Sequence, residues 1–560
     1  MNKQLSSYKQ ILKWLLRFWQ AHRVQALLNT TMGILLVALN LAFVAATKLT
    51  IDIATGQSHR FALSTALCIL YAIMVAQIVL GFSNRWIKAI LGVKSQNRMQ
   101  EKMFNRLLNS EWMHIRHYHS GDVLNRLLKD VGSLVNLITE DIPSFITTFV
   151  QFVGAFFFLY YMDETLALLV VVVTPFFLLV SKLYVRRLRG ITHEVREIES
   201  NVQSWLQESL QHSLVVKTLE RVDYVVNKLS DTHTNLRGKV VEKTKYSSIS
   251  ATLLNIGFGI GYLLTFTWGV FQLQAHAITY GALLAFIQLV GQIQTPVRNL
   301  SRYIPIFINS TTACERLMEL ENLPAENNVE DASIPTKLGN RSFEGLVLEG
   351  VSYQYTPNSR AILKNFSYTF PSGSITAIVG ETGAGKTTLV RVLMSLVHPQ
   401  DGESKVLFTD GIVEHLTTAH RYLFSYVPQG NTLLSGTIRE NLQMGNPHAT
   451  DDMMHEALRI AAAKFVFKLP LGLDTPCTEL GGGLSEGQAQ RICIARALLR
   501  DASIFLFDES TSALDAATEE KVIDNIIDYC KGKTLIFITH RPSVLRYATQ
   551  QLSLERLNAE

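Results

Sequence analysis

Ser374-Ile-Thr-Ala-Ile-Val-Gly380-Glu-Thr-Gly383-Ala-Gly385-Lys386-Thr387-Thr-Leu-Val-Arg-Val-Leu393 reads as three elements in succession: an apolar strand, a glycine loop and a helix. Gly380, Gly385, Lys386 and Thr387 complete the pattern G-x-x-x-x-G-K-[ST] in the strand-to-helix context that gives it meaning. The glycines, Gly383 among them, let backbone N–H groups curl around phosphate oxygens. Lys386 brings a positive charge to the β and γ phosphates, and the Thr387 hydroxyl is a ligand for Mg2+.

Working outward from the loop, short β-type runs (LVLEGVSY, SITAIV, SIFLFD, TLIFIT) alternate with helical patterns, which predicts a mostly parallel α/β sheet. One of these runs, Ser503 to Ser510, ends in two adjacent carboxylates. Asp508 suits the shell of Mg2+, and Glu509 is placed to polarise an attacking water. A strand that ends in Asp-Glu is more often a cap or surface feature, but about 120 residues after a phosphate loop the pair reads as catalytic.

The preceding part of the chain obeys different physics. A chain of 560 residues is too long for one core, and its 48% hydrophobic and 18% charged content suits a mixed membrane and soluble architecture. Six stretches reach the roughly 20 residues that cross a bilayer: 25–49, 61–82, 142–161, 165–184, 251–273 and 278–308. VGAFFFLYY and LALLVVVVTPFFLLV are apolar on every face, which buried soluble helices seldom are. Ahead of the first span, Lys9, Lys13, Arg17 and Arg23 interleave with Ile11, Trp14, Leu15, Phe18 and Trp19, predicting an amphipathic helix on a cytoplasmic membrane surface.

Segments after the second and fourth spans are long and rich in Lys and Arg, whereas the connections after the third (MDE) and fifth (QLQAHA) have none. Both termini are therefore expected on the cytoplasmic side. The net charge of +5 is small for this length, and the cations follow membrane topology rather than a nucleic-acid face, so no nucleic-acid partner is expected. Each inner segment breaks where a short transverse helix fits, near 112–121 and 211–219. Five scattered cysteines read as reduced packing residues, and His114, His117 and His119 do not share a helical face as metal ligands would. The expected division is a membrane domain over 1–320, an acidic Pro/Asn-rich linker over 321–340 and a soluble domain over 341–560.

Taken together, Tyr355 in VSYQY, the loop at Gly380, Gln429 in YVPQG, LSEGQ at Leu484 to Gln488, Asp508 with Glu509, SALD at Ser512 to Asp515 and His540 in TLIFITH stand in the order of the ATPase domains of ABC transporters. With six spans before them, the chain resembles an exporter-type half-transporter, similar to bacterial lipid, multidrug and peptide exporters. SGDVLNRLLKDV, Gln207 to Arg221 and TYGALLAFIQLVGQIQTPVRNL resemble the same family less specifically.

The resemblance implies a multidomain fold: an all-α six-helix transmembrane domain with long cytoplasmic extensions, then an α/β P-loop ATPase domain. ATP and Mg2+ would be held by Gly380, Glu381, Thr382, Gly383, Ala384, Gly385, Lys386, Thr387 and Thr388, with Tyr355 on the adenine. Thr387, Gln429 and Asp508 would serve the metal, and Glu509 and His540 the γ-phosphate chemistry. Ser485, Glu486, Gly487 and Gln488 would complete the ATP site of a second copy, with Asp515 at the seam, so a dimer is required and a homodimer is expected. Glu479 matches the acidic position of the loop that meets the transverse helices.

The implied function is ATP-driven export of a lipid, peptide or amphipathic small molecule across the bacterial inner membrane by alternating access. The bilayer and a hydrophobic or peptide-like cargo are the other partners. A nucleotide-gated channel or regulatory protein uses the same motifs, but the intact Glu509 argues against it; a soluble ABC ATPase would lack the spans, and importers usually separate the two domains. Gln77, Gln151, Gln288 and Gln292 suit either cargo binding or contacts between helices. Three departures from the family stand out: Glu486 replaces the usual first glycine of its pair, Ala489 replaces a basic residue, and after His540 no terminal strand or helices are expected.

Overall fold

Between Tyr8 and Met32 the sequence holds neither glycine nor proline, and nothing breaks the first helix: α1 runs over Tyr8–Ala54, 47 residues. The surface helix and first span expected as separate elements are thus one helix, a correction that follows from the missing breaker. The computed structural model describes residues 8–59, 61–116, 118, 120–326, 341–356, 359–477, 483–539 and 541–555. Two compact units emerge, Met1–Asn105 with Ser120–Glu321, and Arg106–His119 with Asn322–Glu560.

In the first unit α2 covers Leu63–Leu108 and is followed by α3 (Trp112–Arg116, grouped with the second unit), α4 (Ser120–Asn125), α5 (Val131–Asn136) and α6 (Ile142–Met162). The π-helical turns Arg126–Asp130 and Leu137–Asp141 join α4, α5 and α6 into one helical run. Then come α7 (Glu164–Gln211), α8 (Ser213–Thr218), α9 (Val222–Gln274) and α10 (Tyr280–Glu321). At 1.5 Å per residue, helices of 46 to 53 residues reach about 70 Å or more, over twice a bilayer's ~30 Å hydrocarbon core. The short helices α3 and α8 lie where the two long hairpins turn.

Among the described residues four helical stretches are long and apolar enough to span a membrane: Arg23–Ala54, Leu63–Leu108, Gly121–Met162 and Val222–Gln274. In α10 the apolar run is diluted by Gln288, Gln292 and Gln294 and by Pro296, and the side chains of residues 173–186 of α7 lie outside the described ones. Val44 of α1, Leu159 of α6, Val170 of α7 and Phe286 and Leu289 of α10 meet in a shared apolar core. On α9 the buried residues Gly257, Gly261, Thr265 and Gly269 recur every fourth position and form a small-residue stripe. A Cβ on Gly261 would lie 2.5 Å from Nε2 of Gln294, so the stripe lets α10 approach α9. Gln77 ties α2 to α1, donating to the Leu39 carbonyl (3.0 Å) and to Oδ1 of Asn40 (3.1 Å).

The second unit is layered. An antiparallel sheet in the order β2-β1-β4-β5 is built from β1 (Phe343–Tyr353), β2 (Leu363–Pro371), β4 (Asp401–Phe408) and β5 (Val413–His415). A five-stranded parallel sheet uses β3 (Ile375–Gly380), β6 (Phe424–Val427), β9 (Ile504–Asp508), β10 (Thr534–Ile538) and β11 (Gln550–Leu554), ordered β11-β3-β10-β9-β6. A small ribbon pairs β7 (Gly436–Thr437) with β8 (Pro476–Cys477). Among the described residues, six α-helices besides α3 belong to the unit: α11 (Lys386–Leu393), α12 (Ile438–Gln443), α13 (Asp451–Ile460), α14 (Glu486–Leu498), α15 (Ala516–Tyr529) and α16 (Pro542–Leu545). Strands β9 and β10 are buried at every position, as parallel strands covered on both faces must be.

Two sequence expectations are corrected here. The tail is not strandless: Gln550–Leu554 adds to the sheet edge beside β3, with Leu554 opposite Gly380. Gly380 is obligatory for that pairing, since its φ is +153° and a Cβ would stand 2.2 Å from the Leu554 carbonyl oxygen. The start of the linker is anchored rather than free. Glu111 N–H donates to the Pro324 carbonyl (3.0 Å), Glu326 N–H donates to the Asn109 carbonyl (2.9 Å), and Arg421 forks onto the Glu326 carboxylate with two 2.7 Å bonds. Residues 327–340 of the expected linker lie outside the described residues.

Candidate functional site: a nucleotide cleft at the strand ends

Strands β3, β10 and β9 are adjacent and parallel, and Ile378, Ile538 and Asp508 stand level with one another. The loops that carry chemistry therefore leave one edge of the sheet together, the carboxyl edge where open α/β sheets bind ligands. They enclose a cleft of about 680 Å³. Tyr355, Thr382, Gly383, Gly385, Lys386, Thr387, Thr388, Gln429 and Glu509, all expected from the sequence, line it.

Lys386 opens α11, and its buried ammonium donates to the carbonyls of Gly380 and of Glu381 (3.3 Å). Gly385 before it has φ +97°, and a Cβ there would lie 2.9 Å from the Ile362 side chain, so only glycine fits the turn. Thr387 is exposed to the cleft; Ala384 and Thr388 are buried, with the Thr388 hydroxyl 3.2 Å from the Tyr355 hydroxyl. The exposed Glu381 offers its carbonyl rather than its carboxylate to Lys386.

Asp508 ends β9 beneath the cleft, buried, and accepts a 3.3 Å hydrogen bond from Tyr426. Burial pushes its pKa above the usual carboxylate range, against the bond from Tyr426; Glu509 adds to the rise and Arg391 and Lys386 oppose it. Burial and the same carboxylate also raise the Tyr426 phenol. Glu509 adopts a left-handed backbone with φ +46°, a conformation that costs a non-glycine residue about 1–2 kcal/mol. Its N–H donates to the Ile538 carbonyl (3.0 Å), and its carboxylate accepts a 2.8 Å hydrogen bond from the Gln429 amide. Thr387, Gln429 and Asp508 form an all-oxygen donor set, which fits a hard cation such as Mg2+.

Leu484 to Gln488 do not line this cleft. Ser485 instead caps α14: its hydroxyl accepts from Gln488 N–H (3.3 Å) while the Gln488 amide oxygen accepts from Ser485 N–H (2.9 Å). The exposed Glu486 occupies the first turn, where a carboxylate suits the positive end of the helix dipole. Gly487 is required by packing, because a Cβ would stand 2.8 Å from the Ala513 carbonyl oxygen. Asp515 caps α15 by accepting from Thr518 N–H (2.9 Å), a bond that lowers its pKa. His540 and Glu479 lie outside the described residues.

Three groups near these motifs escaped the sequence reading. Arg391, one turn into α11, donates to the Tyr355 hydroxyl, and its guanidinium stacks 4.9 Å from the Trp112 ring. Arg116 lies over Trp112 as well, at 5.4 Å, and both arginines line the cleft. Gln490, buried in α14, donates to the Ser512 hydroxyl (3.2 Å) and accepts from Ala513 N–H (3.1 Å), tying SALD to the LSEGQ helix. The available signal was a tryptophan between two basic patches, and a glutamine inside an otherwise apolar helix face.

A P-loop ATPase fused to a bundle of long apolar helices defines the class: a membrane protein that binds nucleotide. The family profile described as ABC transporter transmembrane region matches residues 26–297, and that described as ABC transporter matches residues 363–512. An uncharacterized ABC transporter ATP-binding protein of Bacillus subtilis is 26% identical over 522 residues, covering 93% of this chain and 88% of its own. A Staphylococcus aureus protein named for multidrug export, an ATP-binding/permease protein, is 28% identical over 462 residues, covering 82% and 78%. A bacterial Atm1-family ABC exporter solved with ATP bound has the same fold, with a TM-score of 0.78, 21% identity and 96% of each chain covered. The chain belongs to the ABC transporters, as an exporter-type half-transporter whose membrane region is fused to one ATPase domain. It is an ATP hydrolase coupled to export.

Proposed function

We propose that two copies of this chain form the working exporter, each P-loop closing on ATP against the LSEGQ helix of the other copy. The observation that carries this reading is the separation of the two halves of the site. Within one chain the cleft is lined by the P-loop, Gln429 and Glu509, and Leu484 to Gln488 are not part of that lining. ATP on Lys386 and the loop from Gly380 to Thr388, with Tyr355 beside the base, meets Ser485 of the partner subunit at the γ-phosphate. Gln490 and Asp515 then set the loop that lies at the seam.

Thr387, Gln429 and Asp508 would hold Mg2+, which would supply positive charge against the nucleotide's phosphates. Glu509 polarises the attacking water and His540 contacts the γ-phosphate. Closure of the paired ATPase domains, passed on through α3 and α8, switches the bundle between inward and outward access, and hydrolysis resets it. With six spans, both termini and the ATPase domain lie on the cytoplasmic side of a bacterial inner membrane, a reading that the Lys and Arg of the long connecting segments support. The cargo is hydrophobic or amphipathic: a lipid, a peptide or a drug-like molecule, as the export relatives support.

Mixing chains tests the shared site. A chain carrying Lys386→Ala and a chain carrying Ser485→Arg each lose both sites as homodimers, but their heterodimer retains one intact pair. Co-purified mixtures should recover ATPase activity that neither variant has alone; a mixture no more active than its components overturns the shared site. ATPase stimulation in vesicles, compared across lipids, peptides and hydrophobic drugs, assigns the cargo class.

A further inference from the structure

Helices α1 and α2 run antiparallel, registered by Gln77 against Leu39 and by a 2.6 Å bond from the Ser95 hydroxyl to the Gln25 amide oxygen. Along the groove between them lie two adjoining depressions of about 230 and 220 Å³ that share Arg98. The first is walled by Val24, Leu28 and Leu91 and edged by Lys94. The second is walled by Trp14, Phe18 and Met99 and edged by Arg17, Lys102 and Glu321.

Lys94, Arg98 and Lys102 recur every fourth residue and so share one face of α2. Ser95 is bonded to Gln25, where the expected first span begins, and Arg98 lies three residues, about 4.5 Å, further along α2 and so just outside that span. Trp14 and Phe18 stack at 5.8 Å beside Arg17 and Lys102.

The charges in this groove are poorly balanced. Lys102 pairs with Glu321 at 3.4 Å. Arg17, Lys94 and Arg98 are exposed and have no ion-pair partner among the described residues. Beside them the buried Nε2 of Gln25 has no hydrogen-bond acceptor among the described residues. An occupant must therefore bring negative charge and an acceptor oxygen to the basic end, and an apolar chain to Val24 and Leu28, which are 75% and 39% exposed.

We propose that this groove is a binding site for an anionic phospholipid. Its phosphate lies among Arg17, Lys94 and Arg98, and its acyl chains run along Val24, Leu28 and Leu91. A zwitterionic lipid fits less well because its own cation meets the arginines. The site does not depend on what the transporter exports, and it is expected to fill without ATP.

Native mass spectrometry of the full-length protein, loaded with equal phosphatidylglycerol and phosphatidylcholine, reads the site directly. Wild type should retain phosphatidylglycerol in preference. At roughly fivefold per cation, Lys94→Gln with Arg98→Gln should lower that preference about 25-fold, while Lys94→Arg with Arg98→Lys keeps it. Wild type in 1 M salt should also lose it, a readout independent of whether any variant folds. Undiminished preference in the glutamine variant, or in high salt, overturns the site. So does displacement of the lipid by equimolar inorganic phosphate, which marks a bare anion site, or loss of the dimer in the glutamine variant, which marks a protein contact.

Discussion

The Gln429 amide donates to the Glu509 carboxylate across 2.8 Å, joining the loop after β6 to the residue that follows β9. Glu509 sits on a strained backbone, so its carboxylate is aimed by two constraints at once: the left-handed turn and the amide. Removing the amide leaves the turn but frees the side chain. A hydrogen bond to a charged group is worth about 1.5–3 kcal/mol, so Gln429→Ala should lower ATP turnover about ten- to hundredfold. Nucleotide affinity measured by equilibrium dialysis should change far less.

Arg391 bridges two walls of the cleft, donating to the Tyr355 hydroxyl and stacking on Trp112. Trp112 is the sole tryptophan within residues 106–119 and 322–560. Its fluorescence, in a chain whose other tryptophans are replaced by phenylalanine, should therefore respond to ATP. A cation–π contact of about 0.5–2 kcal/mol predicts that Arg391→Met raises the KM for ATP about three- to thirtyfold with a smaller effect on kcat. Arg391→Lys should recover part of the loss, since an ammonium still reaches the ring.

Gln490 is a buried amide serving two partners in the 512–513 loop. Gln490→Ala leaves the Ala513 N–H unpaired at a cost of about 1–3 kcal/mol. Thermal unfolding should shift down by several degrees. ATPase activity should fall further than that shift explains, because the loop that carries Asp515 loses its anchor.

Much of the ATP cleft was legible because its motifs are local: Gly380 to Thr388 build one turn, and Asp508 with Glu509 end one strand. What the sequence hid was carried by distant pairings. Arg391 meets Trp112 across nearly three hundred positions, and nothing in either neighbourhood names the other. The terminal strand escaped because QQLSL is short, polar at alternate positions and next to no turn signal, and it is a strand only because Gly380 admits Leu554. In the membrane unit the glycine stripe of α9 repeats locally at every fourth residue, whereas the unbroken α1 required reading the absence of a breaker.

Gly380 itself gives a stability test. Gly380→Ala places a methyl 2.2 Å from the Leu554 carbonyl oxygen at φ +153° and must push β11 off the sheet. A clash of this kind costs about 1–3 kcal/mol, or several degrees in the unfolding midpoint of the ATPase unit. Deleting residues 550–560 should produce a drop of similar size, and adding Gly380→Ala to the deletion should produce little more.

The most direct test of the account is single-turnover and steady-state ATPase measurement on Glu509→Gln in lipid vesicles with Mg2+. If Glu509 polarises the attacking water, the variant binds ATP as wild type does and turns it over at least about a hundredfold more slowly. Steady-state hydrolysis within about twofold of wild type would contradict it.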